Sequence, residues 1–442
     1  MQDFPIIGKI DGRFSKDWKK RIGFFQWLEN VDQDRRPQHM KHDFYYYAQA
    51  QTENLTRFMQ DIVRIPSLSS QEGAVVERMA AEMVKLGYDE VTVDPMGNLI
   101  GRLGNGPCKI ALDGHCDTVD IGDLSLWKRD PYAAEVENGI LYGRGASDQK
   151  GGVASAIYSA AILKEIGMPS AISLYVVASV QEEDCDGLCW QYIVNEGGLR
   201  PDVVVLTEPT SLQIYHGHRG RMEIEVATAG LSCHGSAPER GVNAVYKMAP
   251  IVKDIEQLNN RLMPRAPLGK GTVTISHIRS TSPSLCAVAD GCTIHLDRRL
   301  TIDETEARAV AEIQSLPSVK AAGAKVTVLE YAVPSYKGLV YPTKKYYPTW
   351  EIPANSVPVQ TAVAAFRNTF KEEPGVGHWT FSTNGVATAG LHGIPTIGFG
   401  PGHEKFAHFP DEQIEIEHLV RASAFYAGFV EEYAKTKTAK LN

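Results

Sequence analysis

The sequence predicts an α/β protein: a mixed central sheet flanked by helices, with a smaller ferredoxin-like α+β unit inserted into it. Three observations predict this. Continuous apolar runs such as Ile110-Ala111-Leu112, Leu174-Tyr175-Val176-Val177-Ala178 and Val203-Val204-Val205-Leu206 imply strands covered on both faces. Apolar residues at helical spacing lie between them. Near His218 the pattern changes to alternation, as in Arg221-Met222-Glu223-Ile224-Glu225-Val226, the mark of strands with one wet face. At 442 residues and 43% hydrophobic, the chain can bury a substantial core and divide into two domains.

Residues 1–48 read as an N-terminal extension, expected to pack on the main body, in which Trp18, Phe24, Phe25 and Trp27 follow no clear period. The larger domain is assigned to 49–217 and 333–442, the inserted one to 218–332. Leu55, Phe58, Met59, Ile62 and Val63 recur at helical spacing until Ile65-Pro66-Ser67 stops the helix. A second helix runs from Ala74 to Leu86 and ends at Gly87. Val91-Thr92-Val93 opens the strand series, and Gly152 to Ile166 reads as a helix packed on the sheet. In the insert, the strand at 221–226 precedes a helix from Asn243 to Leu262. Strands Thr272 to Ile278 and Cys292 to Leu296, a helix Glu304 to Leu316 and a strand Lys325 to Leu329 follow. That β-α-β-β-α-β order is ferredoxin-like. Four prolines, Pro334, Pro342, Pro348 and Pro353, make 334–356 an irregular crossing segment.

Bulk properties narrow the function classes. A formal charge of −8 offers no nucleic-acid surface. No run is long enough to cross a bilayer, and Met1-Gln2-Asp3-Phe4-Pro5 lacks the regions of a secretory signal. Seven cysteines without paired spacing suit a reducing compartment, so a cytoplasmic location is the expectation. Cys185 and Cys189 lie four apart but lack a second pair, and read as buried thiols rather than a zinc site.

Five segments, each ending an apolar run, carry the chemistry: Gly114-His115-Cys116-Asp117, Gly145-Ala146-Ser147-Asp148, Gln181-Glu182-Glu183-Asp184, Thr207-Glu208-Pro209 and Ala407-His408-Phe409. In sheets of this kind ligands gather at the carboxyl ends of the strands, where these imidazoles and carboxylates fall. Together they make a ligand set for two divalent metals. Asp117 stands two residues past His115 and can take the proton on its second ring nitrogen. The glycines around Asp148 permit close approach to an ion; a phosphate loop is rejected because no Gly-Lys-Ser/Thr follows in register. Glu182 and Glu183 are adjacent, so their side chains diverge: one can bind metal while the other acts as a base. Glu208, charged at a strand end, needs a partner or a metal. In the last segment His403 rivals His408 as the ligand.

In this order the five segments resemble the di-zinc peptidase and deacylase family of acetylornithine deacetylase, succinyl-diaminopimelate desuccinylase and carboxypeptidase G. The resemblance covers everything after residue 48. The stretches 181–190 and 381–386 look most like the YgeY-type, selenium-metabolism-linked hydrolase subgroup, though no residue here binds selenium in an identifiable way. The likeness implies a zinc-peptidase-like catalytic domain and an inserted lid and dimerisation domain. It implies His115, Glu208 and bridging Asp148 on one zinc, and His408, Glu183 and Asp148 on the other. Cobalt or manganese would suit the same donors. Glu182 would be the general base for a water bridging the two zincs, Asp117 would orient His115, and the peptide bond after Asp148 would be cis. His234 in Ser232-Cys233-His234-Gly235 matches a lid histidine that reaches the partner's active site in a homodimer. Arg299 matches an arginine that grips a substrate carboxylate. The Asn-X-X-Pro of many relatives is missing from 282–287, and Asn384 stands where many have aspartate, which places it at the substrate pocket. The implied reaction is amide hydrolysis in an N-acyl amino acid, dipeptide or related small molecule. A carbamoyl or ureido amidohydrolase of the same superfamily, or a metal-binding protein without catalysis, are the alternatives.

Overall fold

A computed structural model describes residues 43–438. Most of the expected N-terminal extension lies outside the described residues. Phe44–Ala48, which the sequence reading assigns to that extension, belong instead to the main compact unit, which begins at Phe44. They form the helix α1 (Phe44–Ala50), and Phe44, Tyr47 and Ala48, on one face at helical spacing, are buried in the core.

Two further helices, α2 (Thr52–Val63) and α3 (Gly73–Lys85), lead into the central sheet. Its strands are β1 (Glu90–Val93), β2 (Leu99–Leu103) and β3 (Cys108–His115), then, after α4 (Gly151–Ile166), β4 (Ile172–Ser179). Helix α5 (Leu188–Asn195), β5 (Val203–Leu206) and β6 (Ile214–His218) follow. The chain then builds a second sheet from β7 (Gly220–Ala229), α6 (Ala244–Arg261), β8 (Thr272–Thr281), β9 (Gly291–Leu300), α7 (Glu306–Gln314) and β10 (Lys325–Val328). It returns through β11 (Tyr346–Tyr347) to β12 (Trp350–Glu351), α8 (Val357–Phe370), β13 (Val376–Trp379), β14 (Thr396–Gly398) and a long final helix, α9 (Ile416–Thr438).

The central sheet runs β1-β2-β4-β3-β5-β14-β6-β12, with β13 also paired to β6. β3 lies parallel between β4 and β5, and all but one of its residues are buried. That explains its unbroken apolar run: both faces are covered by helices. α4 is buried nearly all round, because it is packed between the sheet and α9. The second sheet runs β8-β9-β7-β10, the ferredoxin-like order, around its own apolar cluster. β7 alternates buried and half-buried residues, as the sequence predicts, and one stripe of α6 (Ala244, Met248, Ile251, Ile255) covers its inner face. Asn243 caps α6, its Oδ1 accepting from the Val245 N–H at 2.9 Å.

The crossing segment 334–356 is less irregular than its prolines suggest. Within it β11 adds to the second sheet and β12 to the central one, so this stretch stitches the two sheets together. Among the described residues no helix is long and apolar enough to cross a membrane.

Candidate metal centre

Parallel pairing sets the rim on which the site forms. His115 lies opposite Ser179, and Asp113 opposite Leu206, so β3, β4 and β5 end together. His115 is the last residue of β3, Glu182 and Glu183 follow β4 closely, and Glu208 lies two past β5. Asp148 arrives from the other side, in the turn before α4. Asp148 and Gln149 there have non-helical backbone (φ −119°, ψ 96° and φ −135°, ψ 33°), and the peptide bond between them is cis. Gly152 lets α4 approach the end of β5: a Cβ there would stand 2.3 Å from the Thr207 carbonyl oxygen. His408 comes from the loop after β14.

The five metal-ligand candidates and Glu182 line one cleft of about 320 Å³. Asp148 is its centre. Its Oδ1 is 3.1 Å from His115 Nε2, and its Oδ2 is 3.4 Å from His408 Nε2. His408 Nε2 also lies 2.9 Å from Glu183 Oε2. On the other flank His115 Nε2 is 3.7 Å from Glu182 and 3.8 Å from Glu208.

Burial of so many acids in one place has an electrostatic cost. Burial drives the carboxyls of Glu182 and Glu208 well above their usual range, and Glu183 to about 7. Burial also opposes the charge on Asp148, but the imidazoles on either side hold its carboxyl low. Glu182 Oε1, Glu183 Oε1 and Glu208 Oε2 are buried without any hydrogen-bond partner. His115 donates its Nδ1–H to the Asp117 carbonyl at 2.9 Å, which leaves Nε2 as the ring nitrogen turned to the Asp148 carboxylate. Buried carboxylates with orphaned oxygens, converging on two imidazole nitrogens, are what divalent cations would satisfy. The donor set of nitrogen and carboxylate oxygen suits zinc, cobalt or manganese, and the two oxygens of Asp148 face different imidazoles, as a shared ligand requires. The residues fit a pair of metals.

A shell of buried groups holds this arrangement. The Asp117 carboxylate does not take the His115 proton, as the sequence reading expects; it lies 3.5 Å from Nδ1, and the nearer acceptor is its own backbone carbonyl. Its oxygens accept instead from the Glu182 N–H (3.2 Å), the Glu183 N–H (3.1 Å) and Ser69 Oγ (2.7 Å), fixing the segment that carries both glutamates. Glu412, which sequence reasoning misses, clamps the Asp148 turn: Oε1 accepts from the Ser147 and Asp148 N–H groups at 2.8 Å each, Oε2 from the Gly145 N–H and from Arg144. No local signal marks it, since its partners lie more than 260 positions away. Lys150 points away from the cleft and donates to the carbonyls of Ile62 and Ile65, which disposes of the phosphate-loop alternative structurally.

The remaining candidates divide. Arg299 lines the cleft, its guanidinium braced by Asp297 at 2.8 and 2.9 Å. Beside it stands Arg221, which donates to Asp186 at 2.9 Å and which the sequence reading passes over as the wet face of a strand. His403, the rival to His408, lies outside the cleft and bonds Ser211 Oγ at 2.7 Å. His234 is exposed, bonded to Ser236, and does not enter the cleft of its own chain. Cys185 and Cys189 are buried thiols, the latter bonded to Asn384.

Asn384 needs a correction. It is not on the cleft wall but 1% exposed beneath it. Its amide nitrogen donates to Asp113 (2.9 Å) and Ser179 (3.1 Å), and its oxygen accepts from the Gly187 N–H (2.9 Å). The amide is required because Asp113 is an acceptor. Asn384→Asp would press two buried carboxylates together, and is expected to destabilise the fold by about 3–5 kcal/mol, the scale of an uncompensated buried charge. Denaturant unfolding of the variant measures this, and an unchanged midpoint would overturn it.

Comparison with known proteins now decides the family. The family description "Peptidase family M20/M25/M40" matches residues 111–432. The chain belongs to this peptidase family. It is therefore an M20-family metallohydrolase, and its sheet domain with an α+β insert is the family's fold. Uncharacterized protein YgeY of Escherichia coli strain K12 is 51% identical over 374 residues, which cover 85% of this chain and 93% of that one. This agrees with the subgroup resemblance. Aminopeptidase PepT from Bacillus cereus ATCC 10987 superposes with a TM-score of 0.66 at 21% identity, over 87% of this chain and 99% of PepT. YXEP of Bacillus subtilis, described as a dinuclear metal binding peptidase from the M20 family, gives 0.64 at 13% identity, over 88% and 99%. At those identities the likeness is one of fold.

Proposed function

We propose that this M20-family chain hydrolyses an amide bond in an N-acyl amino acid, a dipeptide or a related small molecule. The observation that carries the reading is the position of Asp148, one oxygen toward each of two imidazoles, beside three buried glutamates with unpartnered oxygens. His115, Asp148 and Glu208 would hold one zinc, and His408, Glu183 and Asp148 the other. Two such ions, when bound, acidify water and polarise a carbonyl. Glu182 takes the proton from the attacking water and returns it to the leaving nitrogen; its burial raises its carboxyl toward the range such a shuttle needs. Arg299, held in place by Asp297, receives a substrate carboxylate. His234 reaches a cleft only from a second copy of the chain, so its role in balancing developing negative charge goes with the homodimer.

The test is a hydrolysis screen of the zinc-loaded protein against N-acyl amino acids, dipeptides and ureido compounds, with free amino acid and ammonia both measured. Amino-acid release that stops in a Glu182 variant is the expected result. Ammonia release would move the activity to carbamoyl or ureido bonds. Two bound metals with no turnover across the panel would leave a metal-binding protein without catalysis.

A further inference from the structure

Away from the cleft, three strands at the far edge of the central sheet bring together two histidines and a glutamate. β6 pairs with β12 on one side, Glu351 opposite Gly217, and with β13 on the other. Between Gly377 and Trp379 the β13–β6 register slips, giving β6 one extra residue. A bulge of this kind re-aims side chains, and His378 faces His216 across it: the ring centroids are 4.3 Å apart. His378 Nε2 is 3.2 Å from Glu351 Oε1. One ligand atom from each of His216, Glu351 and His378 lies within 4.8 Å of the other two.

His216 has the protonation pattern of a ligand. His216 is 5% exposed, and its Nδ1 is 2.7 Å from the Ile352 carbonyl oxygen. A carbonyl only accepts, so Nδ1 carries the hydrogen and Nε2 keeps its lone pair, with no partner among the described residues. A backbone carbonyl behind the ring is the usual orienting contact of a metal-bound histidine. Burial, with His378 alongside, keeps His216 in the neutral form that binds metal. His378 and Glu351 are 21% and 26% exposed, which gives a cation a way in and leaves both side chains room to close on it.

A second cluster, His403, Glu415 and His418, has the same residue types and shows why types alone do not suffice. There the Gly402 N–H donates to His418 Nδ1 at 3.2 Å. The ring hydrogen is therefore on Nε2, which faces Glu415 at 3.7 Å. The backbone donor on Nδ1 locks that proton on Nε2. By contrast, His378 Nδ1 meets no hydrogen-bond donor among the described residues, so the His378 ring can carry its hydrogen there and turn the Nε2 lone pair to an ion shared with Glu351.

We propose that His216, Glu351 and His378 form a further divalent-cation site, separate from the cleft, for a zinc-like ion rather than magnesium or calcium. Two imidazoles and one carboxylate select borderline metals over hard ones. The ion would clip β12 and β13 to β6. His378 lies three residues before Phe381, which with Ser382 lines the cleft, so the clip would steady the strand leading into that wall.

The experiment uses the full chain, stripped by chelator, dialysed against micromolar zinc and counted for bound metal by mass spectrometry. His378→Ala and Glu351→Gln are each expected to hold one zinc fewer per chain than the parent, with unchanged circular dichroism. His418→Ala is expected to lose none. Glu183→Ala, which disables the cleft, should still show the one-zinc loss on adding His378→Ala. Because the readout is a difference, it stands whatever the cleft itself holds. Equal metal content in the parent, His378→Ala and Glu351→Gln would overturn the site.

Discussion

Glutamine at position 182 is expected to leave the fold and the bound metal unchanged while lowering kcat about 10²- to 10⁴-fold, the contribution of a positioned proton shuttle. The argument rests on a division of labour between neighbours. Glu183 Oε2 stands 2.9 Å from His408, within the His408–Asp148 half of the site. Glu182 has its nearest imidazole contact at 3.7 Å and one oxygen with no partner, so it faces the cleft without being committed to an imidazole. Both backbones are pinned by the same Asp117 carboxylate, which fixes the divergence of the two side chains. Glu183→Gln is therefore expected to fail differently, by losing metal, with activity falling in proportion to occupancy and recovering at higher zinc. Steady-state kinetics combined with metal counting separates the two. Turnover in Glu182→Gln within tenfold of the parent would remove it from the shuttle role. Loss of metal equal to that of Glu183→Gln would make it a ligand.

Legibility in the sequence followed the range of the interaction that fixed each feature. The strands β3, β4 and β5 could be read because burial on both faces demands continuous apolar residues, and the acidic segments because each follows such a run. The insert was readable because one wet face imposes alternation. The Asp148 turn was visible through its glycines, but not what holds it. Glu412 looks like any acid in Asp411-Glu412-Gln413 until the chain brings it to Arg144. Asn384 was misplaced for a related reason: resemblance located it near the site, but only its donors to Asp113 and Ser179 reveal that it faces inward. The Asp117 role shifted because sequence spacing cannot distinguish a side-chain acceptor from the same residue's carbonyl. Helix α1 merges with the extension in the sequence because four aromatic residues in a row, Phe44 to Tyr47, hide which ones are buried.

Glu412 carries the other large expected effect. All its hydrogen-bonding positions are taken by donors: three backbone N–H groups from Gly145, Ser147 and Asp148, and the Arg144 guanidinium, all at 2.8 to 2.9 Å. It is fully buried, and Arg144 is 3% exposed. Glutamine is no conservative replacement here, because its amide hydrogens would point at donors, and the buried Arg144 would lose its counter-charge. Breaking a buried pair of this kind costs about 3–5 kcal/mol, so Glu412→Gln is expected to unfold at markedly lower denaturant concentration. The chemical consequence is separable from the stability loss. Gly145, Ser147 and Asp148 would lose their common anchor, and Asp148 its fixed position between His115 and His408. A group that orients a metal ligand typically accounts for about 10- to 100-fold in metal affinity, and that loss is expected under conditions where the variant is still folded by circular dichroism. Zinc titration of the folded variant is the deciding measurement. Affinity equal to the parent's would show that Asp148 is held without Glu412, and would reduce the clamp to a purely structural one.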